Sequence, residues 1–104
     1  MRLRVDRTPQ ARLDIIEAAK YIALNSARSS REFIQAAART FAVLARSPGI
    51  GRTVDLSRPS LRGLRVWPVE GFRNYLVFYQ VEGKCLVVTR VLHGARDLPA
   101  IIDS

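Results

Sequence analysis

Residues 71–92 read Gly71-Phe72-Arg73-Asn74-Tyr75-Leu76-Val77-Phe78-Tyr79-Gln80-Val81-Glu82-Gly83-Lys84-Cys85-Leu86-Val87-Val88-Thr89-Arg90-Val91-Leu92. Two runs rich in β-branched and aromatic residues flank the short Glu82-Gly83-Lys84 break, the pattern of strands joined by a tight turn. The spacing predicts a hairpin with arms over 72–81 and 85–92, apolar enough to be buried. Immediately after it stands His93-Gly94-Ala95-Arg96-Asp97, which contains the only histidine of the chain. A polar cluster at the exit of a rigid hairpin is a natural place for function.

Working outward, residues 61–69 predict a neighbouring strand that Pro68 ends. Residues 50–60, with Gly51, Asp55, Ser57 and Pro59, predict a loop. Residues 2–7 alternate, with Leu3 and Val5 on one side, which predicts a half-buried strand at a sheet edge. Thr8-Pro9 forms a helix start, cap then first-turn proline. Leu13, Ile16, Ala19 and Ala23 follow at helical spacing, widened by Ile15 and Ile22, and Asn25-Ser26 ends the element. Ser29-x-x-Glu32 fits a capping box for a second helix, with Phe33, Ala37, Phe41 and Leu44 as its apolar stripe and Ser47-Pro48-Gly49 as its stop. Alanines 36, 37, 38, 42 and 45 permit close packing. The order β-α-α-β-β-β is an α+β fold, an antiparallel helix hairpin on one face of a mainly antiparallel sheet.

The 104 residues suit one domain spanning 1–104, and 48% apolar residues supply a small core. Cys85 is the single cysteine, so no disulfide forms within the chain; it reads as a small buried hydrophobe in a reducing compartment. The start Met1-Arg2-Leu3-Arg4 lacks the apolar stretch of a signal peptide, and no run reaches a membrane-spanning length. A cytoplasmic protein is expected, with no membrane partner. The net charge is +8, from fifteen arginines, Lys20 and Lys84 against nine acids. Codon bias explains arginine over lysine but not the excess over acids. A domain this basic expects an acidic partner, either nucleic acid or an acidic protein.

Several chemistries are excluded. One histidine and one cysteine do not make a metal site, and there is no phosphate-binding glycine loop or dinucleotide fingerprint, so no cofactor is expected. Cys85, followed by Leu86 and Val87, reads as a buried structural thiol in preference to half of a Cys–His catalytic pair, and His93 beside Asp97 is no evidence of a triad. What remains is a set of cations, Arg62, Arg65, Arg73, Arg90 and Arg96. Counting outward from Gly83 places Gln80 opposite Leu86 and Arg73 opposite His93. Arg73, His93 and Arg96 then meet at the open end, with Arg65 joining from the next strand. Such a cluster binds phosphate or carboxylate, or stabilises transition-state charge, and His93 can move a proton near neutral pH. The blander readings are an Arg96–Asp97 ion pair and a His93 hydrogen bond to its own Gly94 turn.

Leu64-Arg65-x-Trp67-Pro68-Val69, Gly71-Phe72-Arg73-x-Tyr75-Leu76-x-Phe78-Tyr79 and Arg90-Val91-Leu92-His93-Gly94-Ala95-Arg96-Asp97 together resemble the ParE toxins of the RelE/ParE superfamily. The last string is the most specific. The resemblance implies two antiparallel helices on a curved antiparallel sheet, and a toxin of a bacterial toxin–antitoxin pair. It implies inhibition of DNA gyrase, with Arg65, Arg73, Arg90, His93, Arg96 and Asp97 as target-binding candidates. It also implies a toxin–antitoxin hetero-oligomer with an acidic, ParD-like antitoxin. The candidate antitoxin surface is Leu13, Ile16, Phe33, Phe41, Trp67 and Tyr75. The related RelE branch cuts messenger RNA without a metal, and a nuclease here would rest on Arg65, Arg73, His93 and Arg96. That branch's lysines before Arg73 are absent, however, and Leu98-Pro99-Ala100-Ile101-Ile102 stands where its tyrosine would follow Arg96. The departure favours a non-enzymatic toxin, and direct nucleic-acid binding stays open.

Overall fold

Thr8 opens the first helix, α1 (Pro9–Ala23): its side chain accepts from the Ala11 N–H at 3.0 Å, and Pro9 occupies a first-turn position that needs no donor. The computed structural model describes residues 2–54 and 63–96. The second helix, α2 (Ala27–Arg46), begins earlier than the Ser29-x-x-Glu32 pattern suggests. Ser26 is the cap, accepting from the Ser29 N–H at 3.0 Å, because the chain turns back within three residues of α1. The Ser30 hydroxyl then donates to the Ala19 carbonyl at 2.6 Å and fastens the two helices together.

Five strands form one sheet: β1 (Arg4–Arg7), β2 (Arg52–Thr53), β3 (Arg65–Val69), β4 (Phe72–Glu82) and β5 (Cys85–His93), in the order β1-β5-β4-β3-β2. β1 lies at an edge, as its alternation predicts, and runs parallel to β5; the other pairings are antiparallel. The short β2 falls in the stretch expected to be a loop. Two residues bounded by Gly51 and a polar segment carry too little pattern to read as a strand. Pro68 does not end β3, which continues to Val69 with a register shift between them. β2 pairs only as far as Val66, so β3 is an edge strand at Pro68, where a missing N–H is tolerated.

The hairpin turns on Gly83-Lys84, with Glu82 opposite Cys85. Gly83 has φ 59°, the positive value that a two-residue loop demands of its first residue. Alternate residues of β4 then serve two cores. Val77 and Tyr79 join Ala11, Ala18, Phe33, Ala36, Ala37, Phe41 and Leu44 under the helices. Phe78, with Leu76 packed against it, joins Leu64, Val66 and Leu92 on the opposite face. Burial on both faces is why the run reads as continuously apolar. Tyr79 is itself a polar tie: its buried hydroxyl donates to the Pro48 carbonyl at 2.7 Å and accepts from the Gly51 N–H at 3.0 Å. Burial raises its pKa above the usual tyrosine value.

α1 turns a different face to the sheet than its apolar stripe suggests. Ala11, Asp14, Ala18 and Ala19 are buried, while Leu13 and Ile16 are about half exposed at 51% and 50%. The cause is Asp14. Its carboxylate accepts from Arg90 Nε at 2.7 Å, Arg90 Nη2 at 2.9 Å and the Val91 N–H at 3.0 Å. β1 pairs with β5 only up to Val88, so beyond that point the β5 edge lacks a strand partner and Asp14 supplies an acceptor instead. The Asp14 side chain is 5% exposed and that of Arg90 21%. Asp14→Ala should cost about 3 kcal/mol in urea unfolding, by stranding a buried guanidinium. Asp14→Leu combined with Arg90→Met should recover most of this, leaving a deficit of about 1 kcal/mol for the orphaned Val91 N–H.

Candidate functional site

The position of His93 depends on a one-residue irregularity. Tyr79 pairs with Val88 but Phe78 pairs with Arg90, so Thr89 is an extra residue on β5. A bulge flips the alternation beyond it. Leu86 and Val88 face the helices before the bulge; Val91 faces them after it, with Leu92 on the opposite face. His93 lands on the helix side, opposite Tyr75. The two-residue turn and the bulge together displace the simple count outward from Gly83. Gln80 therefore faces Val87 rather than Leu86, and Tyr75 rather than Arg73 faces His93.

A train of rings carries rigidity from the core to this point. Phe33 of α2 packs edge-on to Phe72 at 5.3 Å and tilted against Tyr75 at 5.0 Å; Tyr75 meets His93 edge-on at 5.1 Å. His93 Nδ1 accepts from the Ala95 N–H at 3.1 Å, which is the blander reading of this histidine. The Gly94 N–H donates to the Asn74 carbonyl at 2.7 Å and fixes the same turn to β4. With Nδ1 an acceptor, the neutral ring carries its proton on Nε2.

Two adjoining cavities meet at Tyr21, Tyr75 and His93, of about 430 and 450 Å³. The first is also lined by Glu17, Ala95 and Arg96, the second by Asn25, Ser29, Arg73 and Asn74. They form a cleft between the second half of α1 and the open end of β4 and β5. Arg73, His93 and Arg96 are thus on one cleft. Among the described residues no ion pair engages Arg73 or Arg96. Two other candidates are elsewhere. Arg65 sits opposite Tyr79, four residues along β4 from Tyr75 and so roughly 13 Å away; its guanidinium donates to the Gly51 carbonyl at 2.7 Å. Arg90 is held by Asp14, which raises its pKa further through hydrogen bonding, so it is not a free cation. Asp97 and Arg62 lie outside the described residues. Tyr21, 66% exposed on α1, is a cleft residue that the apolar stripe does not single out; its signal is an aromatic residue standing off that stripe.

The candidate antitoxin residues divide. Phe33 and Phe41 are fully buried in the helix-side core, so they back the surface rather than form it. Trp67 and Tyr75 are partly buried against that core, and Leu13 and Ile16 stand exposed on α1. Cys85 is half-buried rather than enclosed, at the start of β5, where it accepts from the Arg4 guanidinium at 3.2 Å. Among the described residues no group of three or more potential ligands is placed to hold a metal ion, and no helix is long and apolar enough to cross a membrane.

This arrangement of helix hairpin and sheet is shared with a solved structure described as the chromosomal ParDE TA system from P. aeruginosa. The TM-score is 0.71 at 18% identity, over 88% of this chain and 95% of that one. The likeness establishes the fold. More specifically, the family model of the ParE toxin of the type II toxin-antitoxin system, parDE, matches residues 5–98. The chain belongs to the ParE toxin family. No curated protein sequence matches it. Because His93 is the only histidine, its ring nitrogens are unambiguous in a ¹⁵N-resolved proton spectrum. In its neutral form the ring should show the Nε2–H tautomer; an Nδ1–H tautomer would contradict the Ala95 contact.

Proposed function

We propose that this chain is the toxin of a type II toxin–antitoxin pair that inhibits DNA gyrase and blocks replication without catalysing a reaction, held in check in the cytoplasm by an acidic, ParD-like antitoxin. The family match over residues 5–98 carries the reading. The placement of the cations supports its non-enzymatic part. Metal-free RNA cleavage needs groups that take up and deliver protons beside charges that stabilise the transition state. Arg65 is remote from His93 and tied to the backbone around Gly51. His93 has one nitrogen already engaged with Ala95. The remaining pair, Arg73 and Arg96, suits binding of negative charge more than proton transfer.

The ribonuclease alternative draws on one observation, that Arg73, His93 and Arg96 share a cleft. One comparison separates the two. Purified protein should abolish supercoiling by gyrase or accumulate its cleavage complexes, while leaving messenger RNA intact in a translation reaction. RNA cut in that reaction, and spared on Arg73→Ala, reverses the assignment.

The antitoxin part has its own signature. A net charge of +8 attracts an acidic chain over a distance of about one Debye length. Its association rate with the antitoxin should fall steeply as salt rises, with a smaller change in dissociation. A rate indifferent to salt would remove electrostatic steering from the account.

A further inference from the structure

The cleft has a polarity that says what fits it. Its central stretch is aromatic, with Tyr21 on one wall and Tyr75 and His93 on the other. Toward Arg96 the charges balance: Glu17 faces this cavity, and Asp14 is neutralised by Arg90. Toward Arg73 no acid lines the cavity among the described residues. That cavity is lined by the polar residues Asn25, Ser26, Ser29 and Asn74 together with Arg73, which no ion pair engages among the described residues. At the junction His93 offers Nε2–H as its donor, since Nδ1 is taken. Each cavity is within the size range that receives large side chains or small ligands, and the rings beneath are braced by Phe33.

We propose that this cleft is the docking site for an acidic peptide segment of the partner, seating one aromatic or aliphatic side chain between Tyr21 and Tyr75 and one carboxylate at the Arg73 end. This rests on the antitoxin reading and deepens it by assigning the contact to particular residues and a direction. Arg73 binds the carboxylate as a fork and His93 adds a donor. The two tyrosines bury apolar area at low entropic cost, with two rotatable angles each. Core-buried Phe33 acts only by holding Tyr75 in place.

The test begins with random linear peptides displayed on phage and selected on the full chain. Binding of the selected peptides is then measured on Arg73→Glu, Tyr21→Ser and Lys84→Glu. Lys84 is at the hairpin tip, away from the cleft, and its variant makes the same charge change as the first. The proposal expects peptides with an acid close to an aromatic or aliphatic residue. Their affinity should fall roughly tenfold or more on Arg73→Glu and on Tyr21→Ser, and much less on Lys84→Glu. Peptides without an acid, equal losses on Arg73→Glu and Lys84→Glu, or no peptide selected would overturn it. A single-stranded oligoribonucleotide that binds more tightly than any selected peptide and depends on Arg73 would overturn it as well. The same variants, tested on any small acidic protein found encoded in the neighbouring reading frame, separate the two levels. If that protein binds all of them as tightly as the parent, the cleft assignment fails while the antitoxin reading stands. If it does not bind the parent, the antitoxin reading fails and the peptide selection alone decides the cleft.

Discussion

Asp14 is where the two layers of this protein are bolted together. A carboxylate buried without partners would be untenable, but this one has both oxygens engaged, by Arg90 and the Val91 N–H. The contact spans helix and sheet across most of the chain's length. It forces α1 to turn Ala11, Ala18 and Ala19 inward, which pushes Leu13 and Ile16 out. It also terminates the β5 edge where β1 departs, so that the strand stays extended through His93. The wall of the cleft, Tyr21 on α1 and His93 on β5, is therefore set by a pair with no direct part in binding.

The bulge at Thr89 completes this arrangement. Without it, the alternation that buries Leu86 and Val88 would send His93 to the opposite face of the sheet. Its hydrogen bonds hold the irregularity: the Thr89 hydroxyl donates to the Phe78 carbonyl, and the Thr89 carbonyl accepts from Thr8. The cap residue of α1 is thus also a clamp on the bulge. One threonine begins the helix and fixes the strand that the helix packs against.

These two features mark the limit of what the sequence alone discloses. The hairpin, the helix pair and the edge position of β1 are legible because each writes its own local period. The buried stripe of α2 is legible for the same reason, since Phe33, Ala37, Phe41 and Leu44 all face the core. α1 misleads because its stripe is completed by an acid, and a count of apolar residues passes over Asp14. The acid inside a buried face was itself the missing clue, for it demands a distant cation. The bulge leaves no mark in composition, so a count outward from Gly83 drifts and brings Arg73 rather than Tyr75 to His93. The capping box misleads differently: Ser26 and Ser29 both have the right chemistry, and only the length of the turn selects Ser26.

The excess of positive charge also changes meaning once the arginines among the described residues are placed. Arg90 is committed to Asp14, and Arg65 to the backbone carbonyl of Gly51. Arg7 lies over the Phe41 ring at 5.2 Å. The exposed pairs Arg4–Asp6, Arg28–Glu32 and Arg39–Glu70 are weakened by solvent screening and leave their charges available to solvent. They set the long-range field but do not define a site. Arg73 and Arg96 differ, because they flank a cleft with an aromatic floor and lack such partners among the described residues. Net charge alone predicts an acidic partner of any shape. The distribution narrows this to a partner that brings its acid together with an apolar side chain, because Arg73 and Arg96 stand beside the aromatic rings that line the cleft.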